Sequence, residues 1–225
     1  MTVRKLITRF KARYLTKNTD FMDRCEQLSS EMISKGENGY KQLTVPINKN
    51  YDLLGILRKL SPKSVIELGS GTTSLMFDYY SREAGIDVET REHNPAWHAS
   101  VSQYIKNPKY RYVLDEMDVL KESTRYKSAY ERSYDFMYID GPPVSKLYNS
   151  DFLEIIEQPS LKTIVLDIRD STAIAIMDYL YEKKRKATIR VHKNFSRDPL
   201  KPEYESCFNI KWIRDKRHTI IYLDR

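Results

Sequence analysis

Apolar positions recur along this chain with two different periods, and the change between them divides it. Leu6, Ile7, Phe10 and Tyr14 share one helical face, as do Phe21, Met22, Cys25, Leu28 and Met32, so residues 1–35 predict one or two helices. Lys35-Gly36-Glu37-Asn38-Gly39 reads as a turn. Asn48 to Leu60 predicts a helix with Leu53, Leu54, Leu57 and Leu60 inward, stopped by Ser61-Pro62. From there short apolar runs alternate with helical stretches. Strands are expected at Ser64–Leu68, Asp87–Arg91, Tyr110–Leu114, Asp135–Ile139, Thr163–Leu166, Ala187–Val191 and His218–Leu223. Helices are expected from Thr73, over Ala96–Ile105, and over Ser171–Lys183 with Ala173, Ile176, Met177 and Leu180 inward. Asn194 to Glu205, with two prolines and many charges, reads as a loop joining the final two strands. The alternation predicts a parallel, doubly wound α/β sheet.

Composition narrows this only a little. The 225 residues suit one domain with a single sizeable core, and 40% apolar with 31% charged residues is ordinary for a globular protein. No apolar run approaches the roughly 20 residues of a membrane-spanning helix. The basic N-terminus lacks the continuous apolar stretch of a secretory signal, so a cytoplasmic location is expected. Cys25 and Cys207 are read as two free thiols in a reducing compartment. The formal charge of +7 clusters at Arg4–Arg24 and Lys183–Arg217. It fits either an anionic partner (nucleic acid, a phosphorylated sugar, an acidic membrane surface) or a solvated basic face. The 17 tyrosines suit sugar rings or bases, but also plain sheet packing.

In an open α/β sheet, ligands bind outside the carboxyl ends of the strands. Here those ends are acidic. The first strand carries Glu67 and runs through Gly69-Ser70-Gly71-Thr72-Thr73-Ser74 into a helix. The second ends at Glu92, followed by His93-Asn94-Pro95-Ala96-Trp97. Asp115, Glu116 and Asp118 follow the third, Asp140-Gly141-Pro142-Pro143 the fourth, and Asp167-Ile168-Arg169-Asp170 the fifth. Helix capping explains one or two such acids, whereas five in register point to a common ligand site.

These residues resemble class I S-adenosylmethionine-dependent methyltransferases, over about Tyr51 to Asp170 and more weakly through the last two strands. The acid-x-Gly-x-Gly signature of that family stands as Glu67-Leu68-Gly69-Ser70-Gly71, with Thr73 in place of the usual third glycine. The resemblance implies a Rossmann-like, mostly parallel, seven-stranded sheet with an antiparallel last strand, over residues 47–225, after an N-terminal helical extension at 1–46. It implies that Glu67 meets the cofactor's ammonium, and that the Gly69-Ser70-Gly71-Thr72-Thr73-Ser74 turn packs against the cofactor. It further implies that Glu92 accepts the ribose hydroxyls and Asp118 (or Asp115) the adenine amino group. A dinucleotide-binding fold shares the glycine turn and an acid about 20 residues on, but not the acid ahead of the glycines.

Methyl transfer to a hydroxyl also needs that hydroxyl's proton removed, by a carboxylate, a histidine or a metal-bound oxygen. Asp140 is the first candidate, with Asp167 and His93 as further catalytic candidates and Asp140 and His93 also at the cofactor. Asp140 and Asp167 are similar to the carboxylate pair of metal-dependent O-methyltransferases. The resemblance places the third ligand for Mg2+, a hard cation suited to oxygen ligands, directly after Asp167, where this chain has Ile168, so Asp170 stands as a substitute at a different spacing; capping of the following helix competes as the role of Asp167 and Asp170. Asp140-Gly141-Pro142-Pro143 and Glu92-His93-Asn94-Pro95-x-Trp97 resemble segments of methyltransferases acting on sugar hydroxyls, so a sugar or glycan O-methyltransferase is expected. RNA methylation and a catalytically silent cofactor-binding partner stand as alternatives. The N-terminal helices are open to two uses, covering the active site or forming a homodimer contact.

Overall fold

The structure is a computed structural model that describes residues 19–34, 44–141, 147–195, 200–214 and 217–224. The helical face at Leu6, Ile7, Phe10 and Tyr14, the turn at Lys35–Gly39, and Pro142 and Pro143 lie outside the described residues.

The described chain opens with helices α1 (Thr19–Ser34) and α2 (Thr44–Leu60) and then alternates. Strand β1 (Ser64–Leu68) leads to α3 (Thr72–Ala84), β2 (Asp87–Glu92) to α4 (Pro95–Ser102), then β3 (Arg111–Leu114), β4 (Met117–Val119), β5 (Ser123–Tyr126) and β6 (Phe136–Ile139). After β7 (Tyr148–Asn149) and α5 (Phe152–Ile155) come β8 (Thr163–Asp167), α6 (Asp170–Glu182), β9 (Ala187–His192), β10 (Phe208–Ile213) and β11 (His218–Leu223). The main sheet runs in the order β10-β9-β11-β8-β6-β1-β2-β3. All its pairings are parallel except those of β11, which lies antiparallel between β8 and β9.

The doubly wound α/β fold and the antiparallel last strand are therefore as expected, but the sheet has eight strands among the described residues, not seven. The addition is β10, whose Phe208-Asn209-Ile210-Lys211-Trp212-Ile213 forms the outer edge beside β9. It follows a short 3-10 helix, Pro202–Ser206, that interrupts the expected loop. An edge strand has only one protected side, and Lys211 in its middle blunts the apolar signal. A second, small sheet, β4-β5-β7, was likewise not expected; its strands have two to four residues, too few to show a period.

Each face of the main sheet is covered. Ile66, Leu68, Met137, Ile139, Ile164 and Leu166 point to α6 and pack with Ala173, Ile176, Met177 and Leu180. Their neighbours Val65, Phe136, Tyr138 and Val165 point the other way, into Phe21, Cys25 and Leu28 of α1, Leu53, Leu54 and Leu57 of α2, and Leu75, Met76 and Phe77 of α3. Helix α2 spans residue 46, and α1 and α2 both supply residues to the core.

A buried ion pair fixes α1. Asp78 of α3, with no exposed surface, accepts from Arg24 Nη1 at 2.8 Å and from the backbone N–H groups of Lys106 and Asn107 at 3.0 and 2.7 Å. The same Arg24 Nη1 donates to the Tyr104 carbonyl at 2.6 Å, so one side chain ties α1, α3 and the segment after α4. Removing Arg24 takes from Asp78 its closest charged donor and leaves it Arg82 Nη2 at 3.3 Å and the two backbone N–H groups. Arg24→Met is expected to destabilise the protein by about 1.5–3 kcal/mol in urea unfolding, the worth of a hydrogen bond to a charged group; a loss under about 0.5 kcal/mol would show that Arg82 takes over at Asp78.

Candidate functional site

The carboxyl ends of β1, β2, β6 and β8 lie side by side because Leu68 pairs with Arg91 and with Ile139, and Ile139 with Leu166. Glu92, Gly69, Asp140 and Asp167 each stand one residue beyond that row. They share a row, on the face that α1, α2 and α3 cover.

The turn after β1 is built on backbone contact. Gly69 has φ +86°, a conformation that favours glycine. A Cβ there would lie 2.6 Å from the Gly141 nitrogen, and one on Gly141 would lie 2.8 Å from the Gly69 Cα. The Asp140 and Gly141 N–H groups both donate to the Leu68 carbonyl, at 3.0 and 2.8 Å. Helix α3 starts just beyond, with the Gly71 N–H donating to Ser74 Oγ at 3.1 Å. No side chain can enter between the glycine turn and the end of β6.

Glu67 lies beneath this turn without exposed surface. Its Oε2 accepts from Ser74 Oγ and Thr90 Oγ1, both at 2.7 Å. Its Oε1 is buried with no hydrogen-bond partner. Burial pushes the carboxyl up to about 7, against the hydroxyl hydrogen bonds that favour its ionised form. Glu92 is the opposite case. Its Oε2 accepts from the Ser70 N–H (2.9 Å) and hydroxyl (2.8 Å), and its Oε1 from the Asn94 N–H (2.8 Å). His93 Nδ1 stands 3.2 Å from the same Oε1. Burial raises Glu92, but these donors outweigh it and hold the group below the usual carboxylate range, while the pairing raises His93. The segment behind Glu92 serves this arrangement. Asn94 caps α4 by accepting from the Ala96 and Trp97 N–H groups, Pro95 takes the first helical position, and Trp97 Nε1 donates to the Ser70 carbonyl at 2.7 Å.

Asp140 and Asp167 meet around a cation from the chain itself. Lys49 Nζ of α2 contacts Asp140 Oδ2 and stands 2.7 Å from Asp167 Oδ2. Arg217 binds Asp167 with two hydrogen bonds, of 2.8 and 2.9 Å, and Arg169 Nη2 donates to the Asp140 carbonyl. Burial pushes both carboxyls up. At Asp167, Lys49 and Arg217 overcome it and hold the group well below the usual range. At Asp140 burial prevails over Lys49, so Asp140 is the member that takes a proton more readily.

The structure thus brings together Glu67, Gly69, Ser70, Gly71, Thr72, Thr73, Ser74, Glu92 and His93 around one turn, with Asp140 and Asp167 beside it. The side chains of the other candidates make contacts of their own. Asp170, the first residue of α6, turns to His192 Nε2 at 3.0 Å. Asp118 lies on β4, half-exposed, 3.9 Å from Lys127, and Asp115 is occupied by Arg91 and Ser128. The expected Mg2+ site at Asp140, Asp167 and Asp170 is therefore not assembled: the ammonium of Lys49 already bridges the first two, and the third points elsewhere. Among the described residues no group of three His, Cys, Asp or Glu side chains gathers to hold a metal. Sequence reasoning passed over Lys49, although it precedes Leu53 and Leu57 by four and eight residues and so falls on the inward face of α2. Nothing comparable marks Arg217.

No protein-family model matches the chain, and no curated protein matches its sequence. Solved structures do match its fold. An S-adenosylhomocysteine-bound methyltransferase of Podospora anserina, PaMTH1, superposes with a TM-score of 0.55 at 12% identity over 100% of this chain and 98% of that one. A candidate caffeoyl-CoA O-methyltransferase from Staphylococcus aureus gives 0.54 at 15% identity over 98% and 100%. This chain has the methyltransferase fold. Among the described residues no helix is long and apolar enough to cross a membrane.

The half-satisfied Glu67 has a consequence for stability. Its carboxyl binds a proton more tightly in the folded chain (about 7) than unfolded (4.5), so its contribution favours folding below about 4.5 and is lost as pH rises through 7. Glu67→Gln, which carries no titrating proton, is expected to remove roughly 3 kcal/mol of pH dependence across that window. Urea unfolding of both proteins at pH 4.5, 6 and 8 checks it; parallel curves would mean Glu67 is ionised throughout.

Proposed function

We propose that this protein is an S-adenosylmethionine-dependent methyltransferase that methylates a hydroxyl, and that the acceptor is a sugar or glycan. The observation that carries the cofactor is Glu67 Oε1, a buried carboxylate oxygen left without a donor beside a turn where no Cβ fits. Such an atom suits a cationic ligand group, since an unmatched buried charge is costly until it is paired. Glu67 would hold the cofactor's ammonium, and Glu92, already aimed by Ser70 and Asn94, would accept ribose hydroxyls. The cofactor supplies a methyl group activated by its sulfonium. What remains for the chain is to align the acceptor and take its proton.

Asp140 is the proton acceptor in this reading. It lies one residue from the Gly69–Gly141 contact, it is more basic than Asp167, and Lys49 and Arg169 flank it. No step requires a divalent metal. The sugar assignment rests on the segments Asp140-Gly141-Pro142-Pro143 and Glu92-His93-Asn94-Pro95-x-Trp97 and on the abundance of tyrosine, which offers flat faces with a hydroxyl.

Calorimetry with S-adenosylmethionine and S-adenosylhomocysteine tests the cofactor; absence of binding by both at millimolar concentration would sink it. Glu92→Ala is expected to weaken binding by about 1.5–3 kcal/mol, the worth of charge-assisted hydrogen bonds. Methyl-labelled cofactor incubated with fractionated extracts should label a carbohydrate fraction, with EDTA making no difference. Asp140→Asn should bind cofactor normally and lose roughly 10²–10⁴-fold in label transfer. Label in RNA, with binding that falls steeply as salt rises, would replace the sugar reading by the nucleic-acid one.

A further inference from the structure

Two carboxylates facing each other at the rim of an α/β sheet need a cation, and in this chain a side chain provides it. Lys49 is held on the first of its stem bonds by α2 and keeps only 10% of its side chain exposed. An ammonium has three N–H donors. Two are committed, to Asp140 Oδ2 and Asp167 Oδ2, and among the described residues no other acceptor takes the third. The Tyr138 ring lies 5.8 Å from the nitrogen and walls one side. Asp167 is held by both Arg217 hydrogen bonds, which fix that side of the lysine.

We propose that Lys49 occupies the position of a divalent cation between Asp140 and Asp167 and that its third N–H donates to the acceptor oxygen during transfer. The step rests on the hydroxyl-methylating reading above, and it balances without a further reactant. The acceptor O–H proton moves to an Asp140 oxygen. The freed oxygen pair forms the O–CH3 bond. The C–S bond of the sulfonium donor breaks with its electrons left on sulfur, and Lys49 stays protonated throughout. Asp167 does not exchange a proton; it fixes the lysine. The division of labour is that of a metal site, in which one charge orients and polarises the oxygen while a neighbouring carboxylate takes the proton.

The test separates the position of Lys49 from the reaction. Lys49→Met keeps the length of the stem and deletes the charge, which leaves the two carboxylates without their cation. Mn2+ titrated into the protein and followed by its electron spin resonance signal should remain free with the wild type. One Mn2+ should bind to Lys49→Met, and to Lys49→Gln as a second variant in case the first folds poorly. Adding Asp140→Asn should abolish that binding, and Lys49→Arg, which restores a cation, should bind none. S-adenosylhomocysteine should bind wild type and variants alike within a few-fold, as a purely structural defect would not allow. In the extract fraction that the wild type labels, Lys49→Met should transfer about 10²–10³-fold less methyl. Mn2+ binding by the wild type at Asp140, Mn2+ binding by none of the proteins, or transfer by Lys49→Met within tenfold of wild type would each overturn the proposal. Failure of the wild type to bind S-adenosylhomocysteine would instead overturn the methyltransferase reading, and the Mn2+ titration would still decide what Lys49 replaces.

Discussion

The contact between Gly69 and Gly141 governs the geometry of this site. Two neighbouring parallel strands end in turns that touch backbone to backbone, with two N–H groups from one converging on a single carbonyl of the other. Hydrogen bonds of this kind are worth about 1 kcal/mol each, so they do not explain the fold's stability. What they do is set distances. A methyl group on either glycine would push the β1 turn and the β6 end apart, and the carboxylates Glu67, Glu92, Asp140 and Asp167 hang from these two strands or their sheet neighbours. Asp140 is placed by the β6 end, Ser70 and Ser74 by the turn, and Glu67 lies directly under it.

Around that contact the carboxylates are compensated to different degrees, and the differences carry meaning. Glu92 is surrounded by donors, and Asp167 holds one lysine and a bidentate arginine. Both are held ionised and fixed in place by these donors. Asp140 shares its lysine with Asp167 and is raised by burial; Glu67 has three hydroxyls on Oε2 and no hydrogen bond on Oε1. Desolvating a carboxylate costs several kcal/mol unless partners restore what water gave. Of these four neighbouring acids, Glu67 and Asp140 are the two whose burial is not offset by their partners, and both bind a proton more readily than a free carboxyl.

The parts of this arrangement that could be read from sequence are those encoded locally. Glu67, Gly69 and Gly71 sit within one strand and turn, Asn94 and Pro95 announce the start of α4, and Asp140 and Asp167 follow apolar runs whose period is plain. The antiparallel β11 is expected only through the family resemblance, since nothing in its own sequence fixes its direction. What could not be read depends on contacts between distant segments. Lys49 reaches Asp140 across 91 positions, and Arg217 reaches Asp167 across 50. A lysine on a helix is ordinarily solvated, and only its register with the inward leucines distinguishes this one. The metal expectation failed for the same reason: three aspartates near strand ends look alike in sequence, while the side chain that competes for them comes from a helix ahead of the sheet. β10 was missed because a half-exposed edge strand and a loop have nearly the same pattern of polarity.

The turn that follows β8 indicates which demand prevailed where stability and site geometry conflict. Ile168 has φ +47°, an outlier for a β-branched residue that costs on the order of 1–3 kcal/mol, and its apolar side chain is 46% exposed. Neither feature helps folding; glycine or asparagine would adopt that conformation at lower cost. An extended continuation of β8 would carry Arg169 roughly 7 Å beyond Asp167, along the strand and away from Asp140. The left-handed residue instead folds the chain back, so that Asp167 meets Lys49 while Arg169 meets the Asp140 carbonyl. Arg217 secures the turn from both sides, accepting the Ile168 N–H on its carbonyl at 3.0 Å while its guanidinium grips Asp167. The strained residue is thus clamped by the same arginine that keeps the carboxylate ionised. The strain and the ion pair persist together, as parts of one device that holds β8 against Lys49.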